Sequence, residues 1–166
     1  KTTTGCSQAK KDGCSHAFKV DGDDLVSNQV ASLVNSNLKL SGFYISQGYV
    51  WDKRIKNIMW RQSNIQNLNG STHIIRLDLV PTDLETTNFR YYQLFVDHGY
   101  TKSRVFNDTG ETLKKLPFPG IIVTHHGLGV TTELWPRSRN AFKSFLKIAL
   151  RGQLINGKIK AEFNLE

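Results

Sequence analysis

At 166 residues, with 39% hydrophobic and 22% charged residues and only four prolines, the chain has the size and composition of one folded domain. That argues against disorder and against a fold that depends on metals or many disulfides. The formal net charge of +8 is uneven, +1 over residues 1–50, +1 over 51–100 and +6 over 101–166, and residues 137–160 carry seven basic side chains and no acidic one. A localised cationic surface of this kind suits a nucleic acid, RNA above all, another polyanion or an acidic protein partner, and no apolar run approaches the roughly 20 residues that span a bilayer.

Residues 1–20 read as an irregular entry segment to a single domain covering 1–166. Cys6 and Cys14, with seven residues between them, are spaced to close a small disulfide loop, which suits an oxidising compartment and a secreted chain. The absence of an initiator Met and of an apolar leader fits processing or excision from a larger protein. Asp21-Gly22-Asp23-Asp24 then leads into Leu25, Val26, Val30, Leu33 and Val34 at helical spacing. The acidic start suits the positive end of a helix dipole, and Asn35-Ser36-Asn37 ends the helix.

From Leu38 to Trp51, Phe43, Ile45, Tyr49 and Trp51 are interrupted by Gly42 and Gly48, a pattern of two short strands or one bent strand. Residues 53–62 place Ile55, Ile58 and Met59 on one helical face with Lys53, Arg54, Lys56 and Arg61 elsewhere, which predicts a short helix, with a strand as the alternative. Asn69-Gly70 marks a tight turn, and the alternation from His73 to Val80 predicts a strand stopped by Pro81. Asn69-Gly70-Ser71 and Asn107-Asp108-Thr109 are glycosylation sequons, which twelve Asn residues would produce by chance.

Alternation resumes from Phe89 to His98. A hairpin is expected around residues 107–110, with 104–106 and 111–116 as its arms. Gly120 to Thr124 is short and wholly apolar up to its last residue, as in a central strand covered on both faces. Residues 136–151 carry Phe142, Phe145, Leu146 and Ile148 on one helical face, with Arg139, Lys143, Lys147 and Arg151 at successive i+4 positions on the other. Gly152 supplies the stop. Asn156-Gly157 and the alternation of Ile159, Ala161, Phe163 and Leu165 predict a closing hairpin. The sum is an α+β fold: a mostly antiparallel twisted sheet with an N-terminal helix and a basic amphipathic C-terminal helix packed on it.

Two histidines stand at predicted strand ends beside glycine, in Asp97-His98-Gly99 and His125-His126-Gly127, where a rigid sheet presents side chains to a ligand. RNA is cut without metal when a base takes the 2′-hydroxyl proton, an acid protonates the leaving 5′-oxygen and a cation steadies the phosphate. Histidine fills the first two roles near neutral pH, and arginine matches phosphate geometry. On that scheme His98 and His126 are the acid and base, His125 is a substitute and Glu133 a competing base. Arg137, Arg139, Lys143 and Lys147 bind phosphates, while Trp135 and Tyr100 stack on unpaired bases.

A metal-dependent alternative would use Asp97, His98 and one of His125 and His126, but the sequence lacks H-E-x-x-H and cysteine-rich spacings, so no metal or other cofactor is expected. There is no nucleophile elbow, Walker loop or dinucleotide fingerprint. His126-Gly127-Leu128 and Trp135-Pro136 share residues with the His-Gly-Leu-Trp-Pro box of the secreted acid ribonucleases, yet six residues separate the two halves, and no family is assigned. The expectation is a basic ribonuclease, secreted or delivered as the toxic domain of a larger system. The alternative is a non-enzymatic module whose basic face docks nucleic acid, a sulfated glycan or an acidic protein.

Overall fold

The computed structural model describes residues 2–53, 56–80, 111–125 and 149–165. Over these the fold is α+β, with its strands in two mixed sheets instead of the one sheet expected. The first sheet has the order β1 (His16–Phe18), β6 (His73–Arg76), β3 (Gly42–Tyr44), β7 (Lys114–Lys115). The second runs β2 (Leu25–Val26), β8 (Ile121–His125), β4 (Gln47–Asp52), β5 (Ile58–Ser63), β9 (Gly152–Leu154). β3 with β7 and β4 with β8 are parallel; every other pair is antiparallel.

Alternation along the strands sorts the apolar side chains into layers. Ile74 packs with Phe43, Ile45, Ile65 and Ile121, and with Val30 and Val34 of helix α2 (Gln29–Asn35), in the core shared by the two sheets. Its neighbour Ile75 faces the other way, onto Cys6, Leu77 and Val80, beneath helix α1 (Thr2–Lys11). In β8, Ile121 belongs to the shared core, whereas Ile122 packs with Met59 and with Ile159 and Phe163 of helix α3 (Gly157–Phe163). The layers therefore run α1, first sheet, core with α2, second sheet, α3. Gly42 allows the first sheet to close, since with φ at +141° an added Cβ would lie 2.0 Å from the Ile74 carbonyl oxygen.

α3 is also tied to the start of α2. Ser27 Oγ donates to Glu162 Oε1 at 2.9 Å, Asn28 N–H to the Glu162 carbonyl at 3.0 Å, and Asn28 Nδ2 to the Ala161 carbonyl at 3.2 Å.

Several expectations are corrected. Residues 2–11 are helical, not irregular, and Cys6 and Cys14 are free thiols. Cys6 is 5% exposed in the core beneath α1, where burial pushes its thiol pKa up, while Cys14 is exposed. A Thr/Ser/Gly-rich segment has little intrinsic helicity; packing of Cys6 and Ala9 onto the first sheet holds it. The helix expected from Leu25 begins after Asn28, because Leu25 and Val26 pair with Ile122 and Ile121.

The expected helix over 53–62 is replaced by strand β5, whose ladders with β4 and β9 outweigh a marginal helical period. The strand from His73 stops at Arg76, and Leu77–Leu79 form a 3-10 turn. Of the hairpin around residues 107–110 the arm 111–116 is described, and its strand Lys114–Lys115 pairs in parallel with β3. The closing hairpin is α3 instead. Asn156 caps it by accepting from the Ile159 N–H at 3.1 Å, and Asn164 ends it in the left-handed region at φ 51°. Of the basic helix, residues 149–151 are described and are helical, leading into β9. Residues 89–98 and 136–148 lie outside the described residues. Among the described residues no helix is long and apolar enough to cross a membrane.

Candidate functional site

β8 is an interior strand, as its apolar run implies, with β2 on one side and β4 on the other. β4 alternates between partly and fully buried positions, with Gly48, Val50 and Asp52 on the buried side. An added Cβ on Gly48 would meet Ile65 and Ile121, so this side faces the core between the sheets. The parallel register pairs Tyr49 with Ile122, Val50 with Val123, Trp51 with Thr124 and Asp52 with His125. Both strands therefore end together, and their last residues, Asp52 and His125, stand side by side in the main chain. Asp52 is only 2% exposed.

A polar seam packs beside this end. Thr124 Oγ1 donates to the Asp23 carbonyl, which anchors the turn closed by the Asp24 N–H donating to the Asp21 carbonyl at 3.0 Å. Asn69 Nδ2 donates to Asp24 Oδ2 at 3.0 Å, and the Asp21 N–H to Ser71 Oγ at 2.9 Å. Asn69 Oδ1 in turn accepts from the Ser71 N–H at 2.5 Å, the Asx turn that the Asn-Gly signal implies. Desolvation raises the Asp24 pKa from its ordinary value; hydrogen bonds from Ser71 and Asn69 oppose this, and the neighbouring Asp23 and Asp21 charges add to it.

The two histidines whose rings are described are held by structural contacts. Thr72 gives its hydroxyl proton to the Asn69 carbonyl at 3.0 Å and so accepts from Nδ1–H of buried His73 at 3.2 Å. His16 donates from Nε2 to the Leu40 carbonyl at 3.1 Å, leaving Nδ1 to accept from Ser15 Oγ at 3.0 Å. Neither sits at the β4–β8 end.

Of the residues proposed from sequence, His125 is placed by its main chain as the last residue of β8. His98, Tyr100, His126, Glu133, Trp135, Arg137, Arg139, Lys143 and Lys147 lie outside the described residues. Of the basic segment, Arg151, Lys158 and Lys160 are described and exposed. Sequence reading missed Asp52 and Asp24. The signal for Asp52 was its parity, two residues on from Val50 and four from Gly48, as the one acid on the buried side of an otherwise apolar strand. Among the described residues no group of three His, Cys, Asp or Glu side chains could hold a metal ion. The chain matches no protein-family model, none of the curated proteins and no solved structure.

Proposed function

We propose that the chain is a basic endoribonuclease, secreted or delivered to its target, that cleaves RNA by metal-independent acid–base catalysis. The observation that supports this reading is the exit of β8. β8, an interior strand parallel to β4, ends at His125 in register with the buried residue Asp52, and the chain continues through His126 and Glu133 to the acid-free basic segment 137–160. Carboxyl ends of parallel strands are where sheets most often present groups to ligands.

In the proposed reaction one histidine, His98 or His126, takes the 2′-hydroxyl proton as the 2′-oxygen bonds to phosphorus. The other gives its proton to the departing 5′-oxygen, leaving a 2′,3′-cyclic phosphate. His125 is the substitute for His126 and Glu133 the competing base. Arg137 and Arg139 offset charge on the phosphate, Lys143 and Lys147 follow the backbone, and Trp135 and Tyr100 stack on bases.

The test is incubation of labelled RNA in excess EDTA with wild type, His98→Ala and His126→Ala. Wild type should cleave, and each variant should lose on the order of 10²-fold or more. Undiminished cleavage by both variants would overturn the residue assignment. Wild type that binds RNA with an affinity falling steeply with salt, yet cuts nothing, would establish the binding module instead.

A further inference from the structure

The two sheets treat their cations differently. At the first sheet Arg76 lies 2.7 Å from Asp78 and 3.9 Å from Glu111, and Lys19, just after β1, lies 3.3 Å from Asp21. Along the β9 side of the second sheet Lys56, Arg61, Arg151 and Lys158 are all exposed, and none has an acidic partner among the described residues. Within residues 47–63 and 151–165 the acids are Asp52 and Glu162. The first is 2% exposed, and the second accepts from Ser27 Oγ at 2.9 Å.

Strand register brings these four cations together. Trp60 pairs with Gly152, so Arg61 and Arg151 are the next residues beyond that pair on their two segments. At the other end the Ile155 N–H donates to the Asn57 carbonyl at 3.0 Å, and Lys56 and Lys158 flank that bond. Like charges at neighbouring positions repel, a cost that a bound anion removes. At about 3.3 Å per residue the stretch from Arg61 to Lys56 spans roughly 15 Å, and it leads to the end of the sheet at which β4 and β8 both finish.

We infer that this strip is a track for the phosphodiester backbone of single-stranded RNA. Lysine and arginine neutralise phosphates and release their counterions, and arginine does so with two parallel donors. Arg151 and Lys158 come from the basic segment, whereas Lys56 and Arg61 are added to it by the β5–β9 pairing. That RNA is the polyanion rests on the ribonuclease reading above, since the strip ends where that reading places the chemistry.

Binding is measured by fluorescence anisotropy with a labelled 2′-O-methyl RNA oligonucleotide, which lacks the attacking hydroxyl and stays intact. The variants are Lys56→Gln/Arg61→Gln and Arg151→Gln/Lys158→Gln. Lys114→Gln/Lys115→Gln, the exposed pair on β7 of the first sheet, is the control of equal charge. Each strip variant should bind about tenfold or more weakly at low salt and flatten the slope of log Kd against log salt by about one, while the control changes affinity less than about threefold. Equal losses in all three would mean that net charge alone matters and would overturn the inference, as would unchanged affinity in the strip variants. Wild type that retains heparin but not RNA would overturn RNA as the occupant.

With cleavable RNA the strip variants should raise KM and leave kcat within about twofold. Strip-dependent binding in a protein that cuts no RNA would sink the ribonuclease reading and leave the strip standing. Cleavage with KM unmoved in the strip variants would do the reverse.

Discussion

The two attachments that complete the second sheet use opposite chemistry. On its outer face α3 is held by apolar contact, with Phe163, 2% exposed, edge-on to Tyr49 at 6.0 Å between ring centres and an interplanar angle of 84°. At the end of β8 the turn at residues 21–24 is held by hydrogen bonds around the buried acid Asp24. Apolar burial has no titrating group and is insensitive to pH near neutrality. A buried acid makes the strength of its surroundings depend on protonation. The molecule therefore has one attachment that rests mainly on apolar burial and one whose strength follows the charge of Asp24.

The largest expected effect removes the first attachment. Phe163→Ala should cost about 3–5 kcal/mol in chemical denaturation, by the same amount at pH 5 and pH 8. A loss below about 1 kcal/mol would mean that α3 is not part of the cooperative fold.

Smaller, and confined to the seam, is Asn69→Ala. It deprives Asp24 of its donor and the Ser71 N–H of its acceptor, and should cost about 1–3 kcal/mol at pH 7. The loss should shrink in acid, where the neutral carboxyl needs the donor less. An equal loss at both pH values would erase the contrast between the attachments. The same bonds bear on the Asn69 sequon: its amide nitrogen is already used by Asp24, so a glycan attached there would disrupt the seam.

The smallest effect sharpens the comparison through its direction. Asp24 has a raised pKa in the folded chain, so between the ordinary carboxylate value and the raised one the folded state binds more protons than the unfolded state. Stability from this group is greatest in acid and falls as pH rises through that window. Asp24→Asn carries no such dependence and keeps an oxygen for Asn69. The stability of the variant relative to wild type should therefore increase with pH across the window, measured as the difference in thermal midpoint. A constant or declining difference would show that Asp24 is not the titrating group.

What was legible in the sequence depended on whether a local pattern had one structural meaning. Gly120 to Thr124 could be little other than a buried strand, and β8 lies inside the second sheet between β2 and β4. The expected two short strands are present, but the break between them falls at Ile45–Ser46, while Gly42 opens β3 and Gly48 lies within β4. The segment after Asn156 was ambiguous, because Ile159 and Phe163 are four residues apart and fit both a strand period of two and a helical turn. The cap at Asn156 decides for the helix. α1 was illegible for a different reason: its sequence favours no structure alone, and Cys6 becomes informative only against Ile75.

The seam and Asp52 were hidden because their partners lie far away in sequence. Asn69 reaches Asp24 across 45 residues, and Asp52 meets His125 through a parallel register that no single-chain periodicity encodes. The basic segment was visible from charge alone, yet its relation to the strand end is a matter of topology.

The ties between residues 27–28 and residues 161–162 span up to 135 positions. Ile122 and Met59 are fully buried with Ile159 and Phe163 as their cover. During synthesis the outer face of the second sheet therefore stays uncovered until α3 has been made, however early the first sheet and α2 have formed. Contacts this distant are slow to close, and an apolar face left open in the meantime invites association between chains. The seven residues of α3 thus act after both sheets have been made, as the step that covers an otherwise sticky face.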